Sequence, residues 1–239
     1  MKHWALVAGL LGLTSVTVAQ DALPEPRWGD PCARFTPDAT YVTSTIIMQL
    51  EKREVQLRVP VDYFEDAWDR VDGFADTAQL FSVEMGTFDP ISRPEDAARR
   101  KRGEKRRPMT FIVSDVVPFD RLGPIWAEQF MKSGDFRHPL SLYPRHPGPF
   151  GLSRIFAWGQ EQSYDFQEDL LIAERPDVGV TAVIACDKPG SVKRPGCDHS
   201  FSTNGLDVGL DYDLEDLRNW ERLQSDVSKF LACAINFTK

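Results

Sequence analysis

Hydrophobic and polar positions alternate through much of the chain with the two-residue period of a half-buried β-strand. Thr43 to Leu50 is rich in β-branched residues. In Glu54 to Val59, the side chains of Val55, Leu57 and Val59 share one face and those of Gln56 and Arg58 the other. Glu51-Lys52-Arg53 between these runs predicts a hairpin turn, and Pro60 ends the pairing. Tyr63 to Val71 changes period: Phe64, Ala67, Trp68 and Val71 fall on one helical face. Gln79 to Phe88 reads as a strand with Leu80, Val83 and Met85 inward, then a long charged connection leads to a strand over Met109 to Ser114. The segment 117–150 holds six prolines (118, 124, 139, 144, 147 and 149), so it predicts an irregular excursion with one short helix at Ile125 to Met131. Strands resume at Leu152 to Trp158, Leu170 to Glu174 and Val178 to Asp187. Asp198 to Ser202 and Leu206 to Tyr212 flank Asn204-Gly205, a strong hairpin signal.

The last element has helical spacing. Leu214, Leu217, Trp220, Leu223, Val227, Phe230 and Leu231 form an apolar stripe, and Glu215, Arg218, Glu221, Arg222 and Lys229 occupy the other side. Asp213 is the N-cap candidate, with Glu215 and Asp216 in the first turn where the helix dipole favours acids. Many hairpin-linked strands followed by one amphipathic helix predict an α+β fold, an antiparallel sheet with the C-terminal helix laid on it. A faint echo links Val55–Trp68 and Leu206–Trp220, each a β-strand running into a helix with Trp on its inner face; two related β–α halves at about 40–115 and 151–239 would explain it, and so would chance.

The N-terminus departs from these patterns. Lys2 and His3 precede an apolar run from Trp4 to Leu13, and Thr17-Val18-Ala19 supplies a small-residue cleavage site. This is the build of a secretory signal peptide over 1–19, too short for a spanning helix. The expected mature chain, 20–239, suits a single domain in the periplasm or outside the cell, with no transmembrane segment. Losing Lys2, the one formal charge in the leader, takes the net charge from −8 to −9. An acidic chain is a poor general nucleic-acid binder.

Outside the cytosol, four cysteines imply disulfides. Three pairings are open. Cys186 and Cys197 flank a loop with two Pro-Gly steps, which favours Cys186–Cys197 across a hairpin and leaves Cys32–Cys233 to tie the N-terminal segment to the last helix. Zinc is disfavoured because no Cys-x-x-Cys pair occurs and only His199 stands near Cys197. No cofactor motif is present.

Candidate chemistry is sparse. Asp198-His199-Ser200 cannot form a triad, because strand neighbours point to opposite faces. Gly-x-Ser-x-Gly and His-Glu-x-x-His are both missing. An unrecognised hydrolase site would draw on His138, His146 and His199 with Asp165 or Glu168. Asp207, Asp211 and Asp213 share a strand face, read as a solvated edge or a surface for a cationic partner rather than a Ca²⁺ loop. Trp126, Phe130, Phe156 and Trp158 would line a groove in an envelope-associated ligand-binding module, or else simply fill the core. Asn236-Phe237-Thr238 fits the glycosylation pattern. The sharpest surface signal is the basic run Arg99, Arg100, Lys101, Arg102, Lys105, Arg106 and Arg107, a candidate for docking an acidic partner, for attraction to anionic lipid head groups or for processing by a basic-specific protease, and otherwise a solvated loop joining two strands.

The ending Cys197-x-His199-x-Phe201, Gly205-Leu206-x-Val208, Tyr212, Leu217 and Trp220 resembles the C-terminal pattern of uncharacterised secreted bacterial proteins. Some of these are similar to periplasmic immunity proteins of type VI secretion systems. The resemblance covers about a quarter of the mature chain, through fold-forming residues, and leaves out the basic run. It implies a non-catalytic protein whose partner is a toxin enzyme, blocked by occlusion.

Overall fold

The computed structural model describes residues 25–64, 67–104, 106–115, 119–130, 138–156 and 168–236; the expected signal peptide lies outside the described residues. The elements in chain order are β1 (Tyr41–Met48), β2 (Arg53–Pro60), β3 (Phe74–Asp76), β4 (Ala78–Glu84), α1 (Arg93–Lys101), β5 (Pro108–Ser114) and α2 (Phe119–Phe130). There follow β6 (His146–Pro147), β7 (Ser153–Ile155), β8 (Glu168–Arg175), β9 (Gly179–Asp187), β10 (Gly196–Thr203), β11 (Leu206–Asp213) and α3 (Trp220–Asn236). Among the described residues the strands make two sheets. The larger has eight strands, all antiparallel, in the order β4-β5-β11-β10-β9-β8-β7-β6. The smaller has the order β2-β1-β3, with β3 parallel to β1. The fold is α+β, as the patterning predicts, and no described helix is long and apolar enough to cross a membrane.

The large sheet has two unlike faces. One carries the row Phe81, Phe111, Leu210, His199, Ile184 and Leu171, successive partners across six strands. The small sheet and α3 close over this face, and the apolar members of the row share one buried cluster with Val42, Ile46, Leu57, Leu223, Val227 and Phe230. Phe230 is its hub, with ring centroids 4.9–5.8 Å from those of Phe35, Tyr63, Phe81, Phe88 and Phe111. The opposite face is covered at one end. There Ile155, Leu170, Ile172, Val183 and Ala185 pack with Ala127 of α2 and with Leu140 and Tyr143.

Both disulfides follow the pairing favoured above. Cys186 and Cys197 are directly opposed on β9 and β10, and Cys32 is bonded to Cys233 near the end of α3. Asn204 and Gly205 turn the β10–β11 hairpin with φ of 51° and 74°. Positive φ at both central residues is the signature of the turn that matches strand twist, and it explains why this pair is so informative.

Several local expectations give way to tertiary context. The helix expected over Tyr63 to Val71 is replaced by short 3₁₀ turns at Val61–Tyr63 and Ala67–Arg70. Trp68 is 87% exposed there. A helix of that length is marginal alone. Here the chain is committed instead to β3: Asp72 accepts the Thr43 N–H at 2.7 Å, and Arg70 donates to the Phe64 carbonyl. The charged connection after β4 contains α1, started by Ser92, whose hydroxyl accepts the Glu95 N–H, with proline in the first turn. Leu80 points away from the main core and is 52% exposed, while Phe81 and Val83 are buried. Asp213 stands at the N-cap of a 3₁₀ segment, Leu214–Asn219, that precedes α3, and it makes no side-chain cap bond there.

Candidate functional site

The half of the second face that α2 leaves open spans β4, β5, β11 and β10. Its geometry follows from register. One row across the sheet is Leu80, Ile112, Gly209 and Ser200, continuing under α2 as Val183 and Ile172. The next row is Ser82, Thr110, Asp211 and Asp198, continuing as Ala185 and Leu170. Gly209 leaves the floor hollow; a Cβ there would sit 3.3 Å from Ile112 Cγ2. The result is a groove of about 690 Å³ whose apolar walls include Leu80, Ile112, Leu122 and Trp126. Ile112, 38% exposed, is one of its lining side chains.

The groove shares residues with a second hollow of about 250 Å³, lined by Glu168, Asp187, Asp198, Asp211 and Asp213 together with Arg194. Asp198 and Asp211 belong to both. Two carboxylate pairs are directly opposed across strands, Asp198 with Asp211 and Glu168 with Asp187. Like charges in that position repel and destabilise a sheet. Burial, then Asp211 and Asp187, push the Asp198 carboxyl up; burial, then Asp187 and Asp198, do the same to Glu168. Asp211 rises through burial and its neighbour Asp213. Glu168 Oε2 is shut off from solvent without a hydrogen-bond partner. β11 lies between β5 and β10 and so is not an edge strand, but the face of Asp207, Asp211 and Asp213 is solvated as expected, with Asp211 and Asp213 exposed and Asp207 half-buried. Among the described residues, no group of three or more His, Cys, Asp and Glu side chains is arranged to hold a metal ion.

The other candidate residues are scattered. His199 is buried on the opposite face, where its ring nitrogens meet Tyr212 Oη at 3.3 Å and Gln224 Oε1 at 3.2 Å. Burial lowers it to about 3. His146 lies on β6, four strands from β10, or roughly 19 Å at the usual strand spacing. His138 precedes the Leu140–Leu142 turn. Asp165 lies outside the described residues, and Glu168 opens on the face away from the His199 ring. Of the aromatic set, Trp126 borders the groove, Phe156 is buried beside His146 at 5.1 Å, Phe130 ends α2, and Trp158 lies outside the described residues.

The basic run is largely engaged within the chain. Arg99 and Arg100 on α1 pair with Glu95 and Asp96 one turn earlier. Arg102 pairs with Glu104 at 2.6 Å. Arg106, about nine-tenths buried, meets Glu84 at 2.6 Å, and Arg107 reaches inward to Asp216 at the start of the C-terminal helical region. Lys101 is exposed, and Lys105 lies outside the described residues. Sequence reasoning named Asp211 and Asp213 but missed the groove. The signal was the alternation itself, which placed Leu80 and Ile112 on one parity, Phe81 and Phe111 on the other, and left which parity faced out undecided.

No protein-family model and no curated protein matches the chain. Two solved structures are similar. One is an immunity protein of the Stenotrophomonas maltophilia type IV secretion system, 20% identical, with a TM-score of 0.52 over 84% of this chain and 97% of that one. The likeness is one of fold. The other is the iron-regulated outer membrane lipoprotein FrpD of Neisseria meningitidis, 12% identical, with a TM-score of 0.46 over 90% of this chain and 98% of that one. The secretion system of the first neighbour is type IV, where the sequence resemblance pointed to type VI.

Proposed function

We propose that the mature chain acts outside the cytosol as a non-catalytic protein-binding protein, an immunity-type inhibitor that covers the active site of a toxin enzyme. The observation that carries this reading is the fold shared with a secretion-system immunity protein over nearly the whole of that protein. Two further features support it. The histidines available for a hydrolase do not converge, since the His199 ring is buried on one face and His146 lies near the far edge. Two disulfides fit a chain that folds in an oxidising compartment.

The test is to immobilise the oxidised mature chain, expose it to the envelope and secreted fractions of its source organism, and assay what is retained. The expected result is one enzyme, held stoichiometrically, whose activity falls when it binds. Retention of no specific protein at low salt, together with measurable hydrolysis by the chain itself, would overturn the proposal.

A further inference from the structure

We infer that the open half of the large sheet, from Leu80 and Ile112 to the Asp198–Asp211 and Glu168–Asp187 pairs, is a docking face for a protein segment that presents arginine or lysine beside an apolar side chain. The inference rests on the protein-binding reading above and names the surface that would do the binding.

Four observations meet there. First, among the described residues no element closes over this half of the face: α2 covers Ile172, Val183, Leu170 and Ala185 but stops short of β4 and β5, and Leu80 and Ile112 stay exposed. An apolar patch rimmed by polar groups on a folded surface is characteristic of an interaction site. Second, five carboxylates crowd one end of the groove against one guanidinium, so a cationic occupant is electrostatically complementary and an anionic one is repelled. Third, two like-charge pairs are held in direct cross-strand opposition, an arrangement that costs stability in the free protein and that an inserted cation would relieve. Fourth, Glu168 Oε2 is buried without a hydrogen bond, an acceptor that a guanidinium or ammonium would satisfy. The basic run offers no comparable surface, because most of its arginines already face acids of the same chain.

The two halves of the groove have separate roles. The apolar half, floored by Gly209 and walled by Ile112 and Trp126, takes the anchor. The acidic half orients it and speeds encounter, so binding weakens as salt rises. An isolated divalent cation finds no group of three or more ligands arranged to hold it among the described residues, and it would leave the apolar half unused.

The probe is a short capped peptide alternating arginine with leucine, titrated into the ¹⁵N-labelled, oxidised mature chain at physiological salt. A glutamate–leucine peptide and calcium chloride are titrated in parallel. The expected result is shift changes confined to β4, β5, β10, β11, α2 and the ends of β8 and β9 at Glu168 and Asp187. Asp198→Asn with Asp211→Asn should weaken binding about tenfold or more, as should Ile112→Ser, while Glu221→Gln on the exposed side of α3 leaves it unchanged. The acid variants lose repulsion, so they should fold at least as well as the parent. Shifts spread over the whole surface, equal binding by the acidic peptide, or saturation by calcium with no response to the basic peptide would overturn the docking face. The inhibitor reading fails separately. An inhibited enzyme whose capture survives all three substitutions keeps that reading and rejects this face. Peptide binding at the face with no enzyme captured keeps the face and rejects the inhibitor.

Discussion

His199 should make folding acid-sensitive in a way that one substitution isolates. Its surroundings determine its tautomer. Gln224 donates through Nε2 to the Thr181 carbonyl, so its Oε1 faces the ring and can only accept. His199 Nε2 therefore carries the proton, and Nδ1 accepts from the Tyr212 hydroxyl. The ring is neutral and buried between β10 and α3, and burial depresses its pKa from 6.5 to about 3. In the unfolded chain it returns to the ordinary value. Between those two values the unfolded chain holds a proton that the folded chain lacks, so stability is complete above pH 6.5 and falls as the pH drops toward 3. The loss is about 1.4 kcal/mol per pH unit, or about 2 kcal/mol between pH 7 and pH 5. His199→Phe keeps the ring contacts with Phe201, Tyr212 and Trp220 but strands Tyr212 Oη and Gln224 Oε1. At pH 7 that should cost about 2–4 kcal/mol. Other titrating groups, including Asp216, which burial raises to about 6 against the pull of Arg107, are common to both proteins and cancel in the difference. Urea unfolding of parent and variant with disulfides intact, from pH 7.5 to 4.5, should show the gap narrowing by about 2 kcal/mol by pH 5. A gap constant to within about 0.5 kcal/mol across that range would refute the buried neutral imidazole.

Other consequences are equally direct. Phe230→Ala empties the centre of a ring of five aromatic neighbours and should cost about 3–5 kcal/mol by denaturant unfolding; a loss under about 1.5 would mean the cluster can collapse around the gap. Replacing Cys32 and Cys233 by serine opens a closure spanning 201 residues, worth roughly 5 kcal/mol on the chain-entropy account, against roughly 3 for the 11-residue Cys186–Cys197 closure. Calorimetry should therefore show the larger fall in Tm for the long closure, and equal falls would contradict that account. Asp211→Asn removes one side of an opposed pair and should raise stability by about 0.2–1 kcal/mol at pH 7, an advantage that shrinks at pH 4; destabilisation at pH 7 would show that the carboxylate holds a structural bond.

Much of the fold was legible in the chain because local chemistry and tertiary demand agree there. The β1–β2 and β10–β11 hairpins follow from alternation plus turn residues, and Asn204-Gly205 supplies the positive φ the second turn needs. The apolar stripe from Leu214 to Leu231 could bury itself only as a helix against something flat. The cysteine loop brought its own ends together, which left one partner for Cys32.

What the tertiary structure alone decided concerns orientation and competition. Alternation says that Leu80 and Phe81 face opposite ways but not which is covered, and α3 with the small sheet settled that in favour of Phe81. The helix signal in Tyr63 to Val71 lost to pairing of β3 with β1, a contact between segments 30 residues apart in register, Ser44 with Phe74. The basic run looks like a free patch in sequence, yet its partners Glu84 and Asp216 come from β4 and the approach to α3. The groove arises in the same way. Leu80, Ile112, Asp198, Asp211 and Glu168 sit on five strands, and only the order β4-β5-β11-β10-β9-β8 draws them onto one face, beyond the reach of any short-range sequence pattern.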